Sequence, residues 1–340
     1  MSKFIAMGEM MMRLTPPDNL RFEQTDSLIV MYGGDESNVT VSLANLGIDC
    51  AFITKLPNNP FGYSAINSLR ACGINTQHIA LGGERIGLNF YEIGASIRPS
   101  RVFYDRKWSS ISEADISDFD FNNIFKNADW FHTSGITPAL SERAAKLAEK
   151  ALKTAKEHNV TVSIDLNYRN KLWTQEKAIA VMTDLMKYVD VCIGSEEDAE
   201  MCLGFKPKDT DVYKGKLSIE GYKDIFTRMK DKFGFKYIAT TLRESYSASD
   251  NGWSALLYDS NEFYQSKKYD IHLVDRGGGG SAFSAGLIYG FLNNKSSQET
   301  VEFATAASAL KQTIYGDFNL VREDEIMDLI KGNVSGRIQR

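Results

Sequence analysis

The stretch VDRGGGGSAFSAG, residues 274–286, holds four consecutive glycines between an apolar segment and a run of small residues. The small residues lead into the apolar sequence LIYGFL, and together they predict a tightly packed helix. A helix start offers backbone N–H groups that lack intrahelical partners, and it carries a partial positive charge. Glycines let an anion approach those groups without meeting Cβ atoms. The stretch therefore predicts a phosphate-binding loop, and a flexible glycine loop is the alternative.

Two other phosphate-binding patterns do not match the chain. A dinucleotide-binding G-x-G-x-x-G normally follows the first strand, where this chain has AMGEMM at residues 6–11. No Gly-Lys-Ser/Thr follows the four glycines, although a Walker A loop requires it. The glycines thus indicate an anion site of another kind.

Strand-like and helix-like segments alternate from residue 127 onward. The apolar or β-branched stretches at 127–135, 160–167 and 236–242 predict strands. The amphipathic stretch 141–158 predicts a helix, and Ser141 is a suitable N-cap residue for it. Such alternation is typical of an α/β fold with a mainly parallel sheet covered by helices on both faces.

The first third of the chain has a different pattern. Segment 10–32 lacks helical periodicity, and 87–104 reads as two extended segments around a turn. We expect these segments to form a small β layer that projects from the main sheet and serves as a lid. A polar insertion at 212–218 predicts a loop. A chain of 340 residues could hold two domains, but α/β folds often extend this far as one unit.

Composition excludes several classes of function. The net charge is −5 and no basic block occurs, so nucleic acid and anionic membranes are not expected as main partners. No signal-peptide pattern or membrane-spanning apolar run is present, which favours a cytoplasmic protein. The four cysteines and four histidines share no metal-ligand spacing, so we expect reduced thiols and no metal bound by these residues: Cys50, Cys72, Cys192, Cys202, His78, His132, His158 and His272.

With GGDESNVTVSLANLG at 33–47 and DRGGGGSAFSAG at 275–286, the whole chain resembles the ribokinase-like (phosphofructokinase B type) sugar kinases. Within them it is most similar to the 2-keto-3-deoxygluconate kinases, through GEMMMRLTPP, RVFYDRKWSSIS, DLNYRNKLW, TTLRESYSASDNGW and ALKQTIYGDFNL. The resemblance implies a three-layer α/β sandwich formed by one domain over 1–340, with the lid at 10–32 and 87–108. It also implies ATP-dependent phosphorylation of 2-keto-3-deoxygluconate to its 6-phosphate, with Mg²⁺.

The resemblance assigns catalytic roles to the glycine stretch. Gly278, Gly279 and Gly280 would form an anion hole for the transferring phosphoryl group. Ser281 stands where the family normally has an aspartate that acts as general base. A serine hydroxyl is a poor base near neutral pH but a good helix N-cap, so we expect Ser281 to cap the following helix. Since a general base contributes about 10²–10⁴-fold, binding could survive while turnover falls.

The resemblance also implies the ligand-binding positions. Arg106 and Arg169 would pair with the substrate carboxylate, because a guanidinium donates two parallel hydrogen bonds; surface salt bridges are the alternative for both. Asn89 stands where a tyrosine is common, and Ser195 replaces an asparagine of an NxxE-like motif. The substrate positions are Gly34, Asn38, Asn89, Tyr104, Arg106, Arg169 and Asp317. The nucleotide positions are Asn167, Ser195, Thr241, Arg243, Gly252, Gly278, Gly280 and Ala307.

Two other functions remain open at this point. A kinase for a neutral ketose such as fructose would not need two arginines at its substrate. A non-catalytic protein that binds a sugar acid and a nucleotide is favoured by Ser281. Kinases similar to this chain often pair through their lids, so we expect a homo-oligomer.

Overall fold

The computed structural model describes residues 3–206 and 218–333. Its strands, in chain order, are β1 (Phe4–Met7), β2 (Met11–Thr15), β3 (Ile29–Gly33), β4 (Cys50–Leu56), β5 (Ile79–Leu81), β6 (Gly87–Glu92), β7 (Arg101–Asp105), β8 (Trp130–Ser134), β9 (Thr161–Asp165), β10 (Val191–Ile193), β11 (Tyr237–Ser245), β12 (Asp250–Tyr258), β13 (Phe263–Gln265) and β14 (Tyr269–His272).

The α-helices are α1 (Asp35–Asn45), α2 (Pro60–Ala71), α3 (Phe121–Phe125), α4 (Ile136–Ala139), α5 (Glu142–Glu157), α6 (Gln175–Leu185), α7 (Glu196–Leu203), α8 (Ile219–Phe233), α9 (Gly279–Leu292), α10 (Ser297–Lys311) and α11 (Glu323–Lys331). The loop predicted at 212–218 lies outside the described residues, apart from Ser218, which is the N-cap of α8. Among the described residues, no helix is both long and apolar enough to cross a membrane.

The large sheet has the strand order β13-β12-β11-β10-β9-β8-β1-β4-β5. Every neighbouring pair from β11 to β5 is parallel. The antiparallel strand β12 pairs with β11, and β13 and β14 both pair antiparallel with β12. The predicted α/β fold with a mainly parallel sheet is confirmed.

Helices cover both faces of this sheet, as the side-chain alternation of the central strand β1 shows. Ile5 and Met7 point into one hydrophobic core, which also contains apolar side chains from α3 and α5–α8. Phe4 and Ala6 point into the other core, which contains side chains from α1, α2 and α9–α11. Successive strand residues point to opposite faces, so a strand apolar on both faces must lie between two helical layers.

The small sheet has the strand order β3-β2-β6-β7, and it confirms the predicted β layer. Strands β2 and β3 are antiparallel, β2 and β6 are parallel, and β6 and β7 are antiparallel. Three residues separate the end of β1 from the start of β2, and β3 leads directly into α1. These short connections attach the small sheet to the large one at the carboxyl end of the interior strand β1.

The glycine-rich helix α9 packs closely against α10. A Cβ at Gly286 would lie 2.5 Å from the Cα of Ala304, and a Cβ at Gly290 would lie 2.6 Å from the Oγ1 of Thr300. The whole of α9 from Ser281 to Gly290 is buried. The small residues of α9, which were predicted to allow tight packing, therefore permit the close contact between α9 and α10.

We predict that Gly286→Ala lowers the free energy of unfolding by about 1–3 kcal/mol, because the new methyl group overlaps backbone atoms of α10. Urea unfolding of the two proteins measures this. Gly280→Ala, in the same helix, is the control, since its Cβ would meet no atom within 4 Å. Equal losses for both variants would contradict the packing explanation.

Candidate active site

A cavity of about 200 Å³ lies between the small sheet, the start of α1 and the glycine loop before α9. The glycine loop, residues 277–280, leads from β14 into α9. All the predicted substrate positions line this cavity, together with Gly278 and Ser281: Gly34, Asn38, Asn89, Tyr104, Arg106, Arg169 and Asp317. The fold thus brings into one cavity predicted substrate residues that are up to 283 positions apart in the chain (34 to 317).

The two arginines of the cavity differ in their partners. Arg106 is buried, and its Nε donates to Glu9 Oε2 at 2.7 Å, while its guanidinium lies over the Tyr104 ring. Arg169 is half-buried, and its Nη1 donates to the carbonyl of Tyr168 at 2.9 Å. Within the described part of the chain, no carboxylate forms an ion pair with Arg169. Arg169 is therefore available to an anionic ligand, whereas Arg106 is already paired.

Sequence reasoning missed Glu9, which lines the cavity and follows β1. Its position after the end of a parallel strand, where ligands bind in open α/β sheets, is the signal that could have found it. Glu9 Oε1 and Asn89 Oδ1 are both buried and accept no hydrogen bond within the described chain. A buried acceptor without a donor is unfavourable, so a ligand with hydroxyl groups would stabilise both atoms.

A buried network of ion pairs, centred on Arg13, lies at the base of the cavity. Sequence reasoning also missed Arg13. Arg13 Nη2 donates to Asp275 Oδ2 at 2.7 Å, and Nη1 pairs with Asp317 Oδ1. Gly277 N in turn donates to Asp275 Oδ1 at 2.9 Å, which fixes the beginning of the glycine loop. Asp317, predicted to hold substrate hydroxyls, lines the cavity but already has a strong partner in Arg13.

The four positions of the glycine loop hold glycine for different structural reasons. Cβ atoms at Gly277 and Gly278 would overlap Asp317, and Gly278 also has a φ of +75°. A Cβ at Gly279 would lie 3.0 Å from Gln312. Only at Gly280 would a Cβ meet no atom within 4 Å. Packing explains the first three glycines, and open space for a ligand beside the helix N-terminus explains Gly280.

Ser281 is not the N-cap of α9, and that prediction is wrong. The N-cap is Gly278, whose left-handed backbone starts the helix three residues earlier than expected. Ser281 is the third residue of α9, and its hydroxyl donates to Asp35 Oδ1 at 2.9 Å. Asn167 Nδ2 donates to the other oxygen of Asp35, also at 2.9 Å. Asn167 was predicted near the nucleotide phosphates, and it lies beside the Ser281–Asp35 pair.

A larger cavity, of about 820 Å³, lies against β11, β12 and the start of α7. Three predicted nucleotide positions line it, namely Ser195, Thr241 and Arg243. Gly252 and Ala307 are not among its lining residues: a Cβ at Gly252 would meet Tyr246, and Ala307 is buried within α10. Ser195 is the N-cap of α7 and forms a capping box with Asp198. Asp198 Oδ1 also accepts from Tyr168 N, next to Arg169, which links the walls of the two cavities.

Four carboxyl groups lie close enough to influence one another: Asp35, Glu36, Asp165 and Asp198. Burial raises the pKa of Asp35, while the hydrogen bond from Ser281 and the charge of Arg169 act in the opposite direction. Burial also raises the pKa of Asp165, and the charges of Asp35 and Asp198 add to the effect. Among the described residues, no three His, Cys, Asp or Glu side chains are arranged to hold a metal ion.

Residues 1–232 match the model of the family described as "pfkB family carbohydrate kinase". The chain is 30% identical to the 2-dehydro-3-deoxygalactonokinase of Haloferax volcanii, over 98% of each chain. It is 49% identical to a 2-dehydro-3-deoxygluconokinase of known structure from Thermotoga maritima, with a TM-score of 0.94 over 98% of this chain and 100% of that one. A pfkB family carbohydrate kinase of known structure from Listeria grayi is 33% identical, with a TM-score of 0.89 over 96% and 99% of the two chains.

We predict that Glu36 makes the folded protein less stable as the pH rises from about 4.5 to 7. Glu36 is buried and accepts from Ser134 N, Ser134 Oγ and Thr137 Oγ1. Burial, reinforced by the charge of Asp35, raises its pKa from 4.5 to about 7. In this window the folded state binds more protons than the unfolded state, so the free energy of unfolding falls with rising pH.

Urea unfolding at a series of pH values measures this slope. Glu36→Gln keeps an oxygen that can accept the same hydrogen bonds but removes the titration, so its slope between pH 4.5 and 7 should be flatter. Glu149→Gln, at an exposed position of α5, is the control and should keep the slope of the parent protein. An unchanged slope in Glu36→Gln would contradict the assignment.

Proposed function

The chain belongs to the pfkB family of carbohydrate kinases, and we propose that it transfers the γ-phosphoryl group of ATP to 2-keto-3-deoxygluconate, giving the 6-phosphate. The observation that carries this substrate is the cavity that combines Arg169, which has no ion pair among the described residues, with unpartnered oxygen acceptors. The two similar kinases named for 2-dehydro-3-deoxy sugar acids, one of them 49% identical, support the same class of substrate.

The chemistry of the cavity suits a polyhydroxy acid. The carboxylate of the substrate would pair with Arg169, whose guanidinium is held from one side by the carbonyl of Tyr168. Its hydroxyl groups would donate to Glu9 Oε1 and Asn89 Oδ1. A neutral ketose would leave Arg169 without an anionic partner, and therefore the fructokinase-type alternative is less favoured.

The nucleotide would occupy the larger cavity, with its terminal phosphate at the glycine loop. Thr241 and Arg243 line the wall of this cavity, and the start of α9 offers backbone N–H groups to an anion. Magnesium in kinases is held by phosphate oxygens with one or two carboxylates, and Glu197 on the cavity wall is a suitable ligand. The ion would neutralise charge on the phosphates.

Phosphoryl transfer depends mainly on positioning and on stabilisation of the phosphoryl charge. The glycine loop, whose beginning the Arg13 network fixes, would hold the phosphoryl group, and Arg169 would position the sugar acid. Because Ser281 stands where the family normally has a carboxylate, we expect slower turnover than a carboxylate at this position would give. If both ligands bind and no phosphate is transferred, the protein acts as a sugar-acid and nucleotide binding protein.

The small sheet is proposed as a lid, and it belongs to a single domain that spans residues 1–340. Asn89 and Tyr91 of β6 and Tyr104 of β7 line the sugar cavity from this sheet. The sheet also exposes Val30 and Phe103, two large apolar side chains, to solvent. This exposed pair supports a homo-oligomer that forms through the lid.

We predict that Arg169→Ala weakens binding of 2-keto-3-deoxygluconate at least about tenfold, because the substrate carboxylate loses a charged double donor. Affinity for ATP should hardly change. Isothermal titration of each ligand measures both constants. Arg143→Ala, at an exposed position of α5, is the control. Equal affinity of the parent protein for fructose and for the sugar acid would refute the assigned substrate.

We predict that 2-keto-3-deoxygluconate slows hydrogen exchange of the backbone amides in β6 and β7. A lid that closes over the sugar would exclude water from the site, where water would otherwise compete as phosphoryl acceptor. Mass spectrometry of exchange with and without ligand measures this, and the amides of α5 provide an internal reference. Unchanged exchange in both strands at saturating sugar acid would argue against a lid.

A further inference from the structure

The Ser281–Asp35 contact joins two parts of the site that the reaction must connect. Ser281 lies in the first turn of α9, beside the glycine loop at which the phosphoryl group would be held. Asp35 is the first residue of α1 and follows Gly34, which lines the sugar cavity. The Ser281 hydroxyl donates to Asp35 Oδ1 at 2.9 Å, and both side chains line the same cavity.

A hydroxyl in this arrangement can pass a proton. Ser281 gives its only proton to Asp35, so its oxygen lone pairs remain free to accept a hydrogen bond from a second hydroxyl. Asp35 is half-buried, with its remaining exposed surface on the cavity side, and its second oxygen is held by Asn167. The carboxylate is thereby fixed in orientation by two donors from different segments of the chain.

The other candidate carboxylates are engaged elsewhere. Asp275 and Asp317 both pair with Arg13, and Glu9 pairs with Arg106. Glu36 Oε1 accepts three hydrogen bonds from Ser134 and Thr137. Asp35, in contrast, has no ion pair within the described residues, and its partners are two neutral side chains.

We propose that Asp35 is the proton acceptor of the phosphoryl transfer and that the Ser281 hydroxyl relays the proton to it. The acceptor hydroxyl of the sugar acid gives its proton to Ser281 Oγ while the Ser281 proton moves to Asp35 Oδ1. The hydroxyl oxygen forms a bond to the γ-phosphorus of the nucleoside triphosphate. The bond from that phosphorus to the bridging oxygen breaks, and the nucleoside diphosphate leaves with the electron pair. This inference rests on the proposed function.

The charges around Asp35 suit this role. Burial raises the pKa of its carboxyl group, and the charge of Asp198 acts in the same direction. The hydrogen bond from Ser281, the charge of Arg169 and the hydrogen bond from Asn167 oppose this. Glu36 and Asp165 also face Asp35 and repel its charge. A carboxylate with a raised pKa is a stronger base.

The test compares turnover and binding in four proteins beside the parent. Asp35→Asn keeps an oxygen that can accept from Ser281 but removes the base, so we expect kcat to fall about 10²–10⁴-fold. Affinities for 2-keto-3-deoxygluconate and for ATP should stay within about threefold of the parent. Ser281→Ala removes the relay and should lower kcat over the same range. Glu149→Gln is the surface control with unchanged kcat.

A variant that carries the carboxylate at position 281 instead of 35 distinguishes a catalytic role of Asp35 from a structural one. Asp35→Asn combined with Ser281→Asp restores a base beside the glycine loop, so its kcat should exceed that of Asp35→Asn at least about tenfold. A residue that only supports the fold would not be rescued in this way. In the parent protein, kcat should also rise with pH as Asp35 loses its proton. The pH profile of Asp35→Asn should lack this rise.

Three results would overturn the proposal. If the parent turns over and Asp35→Asn retains kcat within about threefold, Asp35 is not the acceptor, while the kinase function stands. If the double variant shows no more turnover than Asp35→Asn, the loss in Asp35→Asn is structural. If the parent binds both ligands without turnover, no acceptor operates. Failure of the parent to bind the sugar acid at all would instead refute the proposed function.

Discussion

The guanidinium of Arg13, buried in β2, binds Asp275 and Asp317 and so joins the small sheet to the two loops that flank α9 and α10. Burial alone would lower the pKa of Arg13, but the charges of the two aspartates outweigh burial and raise it. Loss of Arg13 would leave both aspartates without this ion pair in the interior, which is strongly unfavourable. Because Gly277 is bound to Asp275 and both Gly277 and Gly278 pack on Asp317, the phosphate-binding loop depends on this one cation.

Local patterns predicted most of the fold. Ser141 accepts from Ala144 N and caps α5, as its position before an amphipathic run predicted. The alternation of strands and helices predicted the parallel sheet, and the absence of helical periodicity in 10–32 predicted strands β2 and β3. In these cases the signal lies within a few residues of the feature. The family resemblance added the cavity residues, whose spacing in the chain carries no such signal.

The features that sequence reasoning missed depend on contacts between distant residues. Ser281 bonds to Asp35 across 246 positions, and no local pattern contains that contact. The misplaced N-cap has a similar cause, since Gly278 has a left-handed conformation and lies close to the backbone of Asp317, a residue far along the chain. Arg13 resembles an ordinary solvent-exposed strand residue in the sequence, because its two acidic partners follow 262 and 304 positions later.

The order of the strands in the large sheet bears on how the chain assembles during synthesis. Strand β1 is made first, and β8, β9, β10, β11 and β12 are then added outward from it in chain order. Each strand that leaves the ribosome therefore finds its neighbour already present, which keeps most steps local. The exceptions are α9 and the loop that carries Asp317, which return to α1 and β2 near the end. A nascent chain can thus build its sheet strand by strand over its first four fifths, but it gains its anion site only with its last fifth.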